Sequence, residues 1–305
     1  MLAAKIQQRQ SGILLYGLVP PKQGADQDKL SRIAERQLAR LRGLPIDGLV
    51  LYDLQDEKAR NSQERPFPFI ETLDGLNYGQ EYLADLNVSK VVYRAVGKYQ
   101  PDALVAALQQ VEQAGDLTVF VGAASRTQSV ALSMKEAYRL YNSVTPRPPL
   151  GAVAIAERHA HKGDEHLRML DKIARGCSFF ISQGVYDVHA SKNLLSDYHY
   201  HGLEHGIPLA PVIFTLTPCG SLKTLEFMKW LGIAIPRWLE NELTHSRDIL
   251  QQSVELSAQN WRELKAFADE KRIPIGCNIE SVAMRKVEVE ASIELLQRIA
   301  SEAKA

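Results

Sequence analysis

The stretch FFISQGVYD, residues 179–187, runs from strand-like apolar character into Ser182 and Gln183, then a glycine, then Tyr186 and Asp187. A segment apolar enough to be buried on both faces does not end in an amide and a carboxylate at random, because a buried polar group is costly unless something pairs with it. The pattern recurs along the chain. DGLVLYDL runs into Tyr52, Asp53, Asp56 and Glu57, LGAVAIAE ends in Glu157, and IPIGCNIE carries Asn278 and Glu280. Carboxylates, amides and tyrosines of this kind suit a flat heteroaromatic ligand held by donor and acceptor pairs, with one carboxyl group as proton donor. Gln183 is expected to look into such a site.

These groups need a scaffold that gathers them. Eight short apolar runs recur, at residues 12–19, 47–54, 89–96, 117–124, 150–157, 178–183, 209–216 and 273–280. Most are continuous in Val, Ile, Leu and Phe, as parallel strands covered on both faces should be. Between them lie amphipathic stretches such as DQDKLSRIAERQLARLRG, PDALVAALQQVEQAG and SVELSAQNWRELKAFADEKR, several closed by glycine. Strand and helix alternating eight times without a linker predicts one domain over residues 1–305, a (β/α)8 TIM barrel of the α/β class. A doubly wound open sheet is the alternative, and the lack of a GxGxxG after the first strand weighs against it. In a barrel the chemistry sits at the C-terminal ends of the strands. The end of the third strand, Tyr93 to Ala95, reads as ordinary.

Other chemistries are less well supplied. Histidines gather at His159, His161, His189, His199, His201 and His205. His201 and His205 stand one helical turn apart, but their stretch scans as an outer helix ending at Gly206, so no metal is expected there. His159 directly follows the fifth strand and could meet a ligand phosphate; with His161 and nearby carboxylates it would serve a metal-assisted lyase or hydrolase, the weakest of the functional readings. There is no GxSxG, and Gly220-Ser221-Leu222-Lys223 reads as a helix start rather than a phosphate loop. Lysine plus arginine equals aspartate plus glutamate at 36 each, which argues against nucleic acid or an acidic membrane surface as partner. Three scattered cysteines, Cys177, Cys219 and Cys277, an N-terminal stretch without an apolar core, and no run near the roughly 18 apolar residues of a membrane span lead us to expect a cytoplasmic protein. A homo-oligomer is compatible with the chain, but sequence alone shows no surface for it.

In order along the strand ends, the sequence resembles the methylenetetrahydrofolate reductases. LVPPK (18–22) is similar to the family's Phe-Glu-Phe-x-Pro-Pro element, and ISQGVYD (181–187) to its Thr-Gln-x-x-aromatic-Asp element. HGIPLAPVIFTLTP (205–218) and IAIPRWL (233–239) resemble its Gly-Ile-x-x-Pro and Ile-Pro-x-Trp segments. FVGAASRT (120–127), ERPFP (64–68) and PIGCNIES (274–281) look like the flavin-independent branch. The resemblance implies a (β/α)8 barrel in one-carbon folate metabolism, toward methionine biosynthesis. It would reduce 5,10-methylenetetrahydrofolate to 5-methyltetrahydrofolate with hydride from NADH or NADPH.

Two departures from the family pattern shape the expected site. Its flavin-contacting Arg-Gly-Asp is replaced by Gly122-Ala123-Ala124-Ser125 and its third-strand histidine by Tyr93, so direct transfer without tightly bound FAD is implied. The first-strand glutamate that aids ring opening falls on Gly17, and Glu280 matches a glutamate of the flavin-independent branch, with Asp53 and Glu57 as the further candidate acids. Folate contacts then fall to Gln183, Tyr52, Tyr186, Asn278 and Arg126, the last as a bidentate clamp on carboxylate or phosphate. The nicotinamide side falls to Tyr16, Gly122, Ser125, His159 and Lys172, the lysine matching one in the family. A carboxylic acid partly buried among Tyr16, Tyr52 and Tyr186 would have its pKa raised and stay protonated. The other reading is a folate-binding relative that lost its acid at Gly17.

Overall fold

The computed structural model describes residues 2–56, 63–123 and 129–302. Its strands are β1 (Ile13–Leu18), β2 (Gly48–Leu51), β3 (Ser89–Ala95), β4 (Leu117–Val121), β5 (Leu150–Ala154), β6 (Cys177–Gly184), β7 (Val212–Leu216) and β8 (Ile275–Glu280). All are parallel to their neighbours and close in sequence order, β1 pairing β8 with Gly17 opposite Glu280. The eight apolar runs therefore all become staves of one barrel, and the open-sheet alternative falls away.

The continuous apolar runs are explained by two cores. Inward-facing Ile13, Leu15, Val50, Val91, Val119, Phe179, Ile181 and Ile213 fill the barrel. Its N-terminal end is stopped by α1 (Leu2–Gln7), whose Leu2 and Ile6 join that inner cluster. Outward-facing neighbours such as Leu14, Leu49, Phe120, Phe180 and Phe214 pack under the helices. The inner layer is tight enough to dictate residue size. A Cβ on Gly151 would stand 2.5 Å from the Phe179 ring, so the phenyl takes the room that β5 gives up.

The helices are α2 (Gln27–Leu41), α3 (Gly75–Glu81), α4 (Pro101–Gln113), α5 (Met134–Ser143), α6 (Ala156–Lys162), α7 (Glu165–Ala174), α8 (Val188–Glu204), α9 (Leu222–Trp230), α10 (Arg237–His245), α11 (Ile249–Lys271) and α12 (Lys286–Glu302). Their starts follow capping chemistry: Asp26 accepts from Lys29 N–H, Ser133 forms a capping box with Glu136, and Ser221 accepts from Thr224 N–H. Asp187 is such a cap as well, accepting the Ala190 N–H, which explains the carboxylate that closes FFISQGVYD. Several stop at a left-handed glycine, including Gly43 and Gly115. All three cysteines are buried free thiols. Among the described residues, no helix is long and apolar enough to cross a membrane.

Candidate functional site at the barrel mouth

The alternation of each strand carries inward-facing residues toward the C-terminal rim. On β8 these are Asn278 and then Glu280, and just past the end of β2 it is Tyr52. Tyr52 meets Tyr93 of β3 edge to face, with ring centroids 4.8 Å apart. Asn278 is fully buried and spends its amide hydrogens on Tyr52 Oη at 2.9 Å and Thr215 Oγ1 at 3.2 Å. Since Asn278 Nδ2 can only donate, the Tyr52 oxygen is an acceptor there, and its own proton is left to go to the Glu280 carboxyl, to which it is hydrogen-bonded. Asn278 Oδ1 is buried and has no hydrogen-bond partner among the described residues.

Gly17 makes this arrangement possible. A Cβ there would lie 2.9 Å from Tyr52 Cε2, 3.0 Å from its hydroxyl and 3.2 Å from Glu280 Cβ. The space over β1 is thus taken by the phenol and the carboxyl of its two neighbouring strands. Burial pushes the Glu280 pKa from an ordinary 4.5 to about 7, and the Tyr52 hydrogen bond keeps it from rising further. Tyr52 and Tyr93 are themselves driven upward, first by desolvation and then by the nearby Glu280 charge. The basic residues that follow Glu280 in sequence are engaged elsewhere: Arg285 donates to the Gly220 carbonyl, and Lys286 lies 3.5 Å from Glu290. The mouth therefore holds a carboxyl group that keeps its proton near neutrality, backed by a phenol and an amide.

Gln183 lies at the end of β6 and donates from Nε2 to the Leu231 carbonyl at 2.8 Å. It thereby ties the rim to the loop after α9, which is also held where Ala234 N–H donates to Glu157 Oε1 at 3.3 Å. Gly122 directly follows β4, and its carbonyl accepts from Gln55 Nε2 at 3.0 Å. Glu57, Ser125 and Arg126 lie outside the described residues.

Five expected site residues stand elsewhere, each for a definable reason. Tyr16 is out of phase with Gly17 and points under the helices, where its hydroxyl meets Ser292 Oγ of α12 at 2.9 Å. Asp53 is out of phase with Tyr52. Its Oδ2 accepts the Ala95 N–H at 2.8 Å and its Oδ1 pairs with Lys98 at 2.6 Å, which makes it a strut between β2 and the end of β3. Tyr186 follows a register shift in β6 between Ile181 and Gly184 and is buried in a separate cluster with Cys219, Leu225, Met228 and Ile233, bonded to the Thr217 carbonyl. His159 turns from β5 toward α8, with Nε2 3.1 Å from Asp197 Oδ2. Lys172 donates to the Val153 carbonyl at 2.7 Å and lies 3.8 Å from the fully buried Glu165; burial pushes its pKa down.

Tyr93 escaped the sequence reading as a mouth group because it sits on the strand end that read as ordinary; counting alternate residues inward from Val91 would have found it.

No family model matches the chain, and no curated protein matches it. Among solved structures, an uncharacterized protein from Clostridium thermocellum that binds two copies of 5-methyl-5,6,7,8-tetrahydrofolic acid is 48% identical, with 99% of each chain covered and a TM-score of 0.86. A dihydropteroate synthase from Xanthomonas albilineans in complex with 7,8-dihydropteroate is 11% identical, with 97% of this chain and 95% of that one covered and a TM-score of 0.48, a likeness too distant to bear on chemistry. At nearly half identity over essentially the whole of both chains, the present protein belongs to the family of that Clostridium thermocellum protein.

Proposed function

We propose that the barrel mouth binds a reduced folate and that the protein reduces 5,10-methylenetetrahydrofolate to 5-methyltetrahydrofolate with hydride from NADH or NADPH. The observation that carries this reading is Glu280, a rim carboxyl that holds its proton to about pH 7 and is hydrogen-bonded to Tyr52 over a glycine. The ligand of the Clostridium thermocellum relative is the product of that reduction. The strand-end resemblance supplies the reaction.

Reduction at the bridge requires its bond to N10 to break, because the methyl group of the product stays on N5. N10 leaves as an amine and needs a proton, which Glu280 gives; the carbon, now an N5 iminium, takes hydride at its vacated position. The nicotinamide supplies that hydride and departs oxidised. Glu280 then regains a proton from water, so one proton and one hydride are consumed per turnover. A general acid with a pKa near the working pH contributes about 10²–10⁴ in rate. Tyr52 orients the carboxyl and Asn278 orients Tyr52, and the buried Asn278 Oδ1 is an acceptor for a pterin N–H. The altered segment from Gly122 onward favours direct transfer over a bound flavin.

Mixing the protein with methylenetetrahydrofolate and NADH or NADPH should consume absorbance at 340 nm, and Glu280→Gln should slow that about a hundredfold or more while 5-methyltetrahydrofolate still binds. The absence of an acid on β1 favours a second reading, a folate-binding protein without reductase activity. It is the correct one if wild type binds 5-methyltetrahydrofolate but turns over neither nicotinamide, with or without added FAD.

A further inference from the structure

On the outside of the barrel, three helices bring potential metal ligands together at a place the mouth does not use. His159 of α6, His166 of α7 and Asp197 of α8 each offer one ligand atom, and these atoms all lie within 4.8 Å of one another. His159 is 5% exposed, and its ring meets that of His166 edge to face with centroids 5.3 Å apart. The Nδ1 atoms of both rings are buried without a hydrogen-bond partner among the described residues. Buried polar atoms are nearly always paired in native proteins, so an unpaired nitrogen in each of two touching imidazole rings calls for an explanation, the more so as the other nitrogen of His159 lies 3.1 Å from Asp197 Oδ2. A Lewis acid that takes up imidazole lone pairs provides one.

We propose that His159, His166 and Asp197 bind a zinc-class divalent cation that clasps α6, α7 and α8 together. Two imidazoles and one carboxylate are a donor set for borderline cations, and zinc takes them in a tetrahedral shell at about 2.0–2.2 Å. The ligand atoms, within 4.8 Å of one another, stand wider than such a shell, so binding would draw the three side chains inward. Asp197 is 55% exposed, which leaves one side open for the ion to arrive and for water to complete the shell. The clasp would lie behind β5 and β6, fixing the middle of α8, the helix that follows the strand carrying Gln183. A rival grouping, His201, Glu204 and His205, occupies one exposed turn of α8 and lacks a buried ligand.

Titrating zinc chloride into EDTA-stripped full-length protein should show one ion bound per chain and a rise in the thermal midpoint that EDTA reverses. Asp197→Asn and His166→Gln should each weaken zinc at least about tenfold, and His205→Ala should leave it unchanged. Asp197 is exposed enough that its variant keeps the fold, which circular dichroism checks. Cobalt substitution should give tetrahedral visible bands that fade in the same two variants. No zinc binding at micromolar concentration overturns the proposal. So does binding that survives both substitutions, or binding abolished by His205→Ala.

Discussion

Replacing Glu280 by glutamine removes one titration, and the structure fixes the size and direction of the effect. The folded carboxyl is held at about 7 against an ordinary 4.5, so ionising it in the native state costs roughly 3 kcal/mol more than in the unfolded chain. Below pH 4.5 both states are protonated and the group is silent. Between 4.5 and 7 the unfolded chain releases its proton while the native protein keeps it, so this group makes stability fall as pH rises; above 7 the loss is complete. Glutamine has no such slope. Urea unfolding of both proteins from pH 5 to 8 should therefore show the variant gaining roughly 2–3 kcal/mol on wild type across that range, other titrations cancelling in the difference. Turnover should follow the same proton and decline above pH 7. Stability curves that run parallel within about 0.5 kcal/mol would refute the desolvated acid, and with it the proposed proton donor.

Three further substitutions probe the same rim. Gly17→Ala places a methyl group 2.9 Å from the Tyr52 ring and should cost about 1–3 kcal/mol by thermal or urea unfolding and weaken folate binding; Gly17→Glu should therefore harm rather than install activity. Tyr52→Phe removes the hydroxyl that donates to Glu280, so the alkaline limb of a pH–rate profile should move up, with a stability loss of about 1 kcal/mol. Asp53→Asn breaks a half-exposed pair with Lys98 and should cost no more than about 1 kcal/mol, leaving the pH profile in place; a hundredfold fall in turnover would make Asp53 a proton donor.

The barrel was readable in the sequence because strands covered on both faces advertise themselves as unbroken apolar runs, and eight of them at helical intervals leave little choice of topology. Helix starts were readable for a similar reason: Ser221 caps α9, as the local sequence suggests. Phase was harder. Neighbouring residues at a strand end face opposite ways, so Tyr52 reaches the mouth and Asp53 does not, while Gly17 faces in and Tyr16 faces out. In β6 the register shift defeats simple alternation, and Tyr186 falls into a core that only the packing of α9 and α10 creates. His159 was misplaced because α6 begins so soon after β5 that its side chains turn toward α8. Glu280 was readable as a candidate whose pKa burial would raise, but its neighbours were not: the closed ring stands Tyr52 and Tyr93 beside it, while Tyr16 turns to α12 and Tyr186 falls into a separate core.

The register that sets Gly17 against Glu280 has a consequence for how such chains are compared. In a closed ring of staves, adjoining positions at one height aim at a common point, so a reacting group can be mounted on either stave and arrive at the same coordinates. A search that demands an acid at a fixed address near the start of the polypeptide will pass over a chain whose carboxyl group stands at that height on the last stave instead.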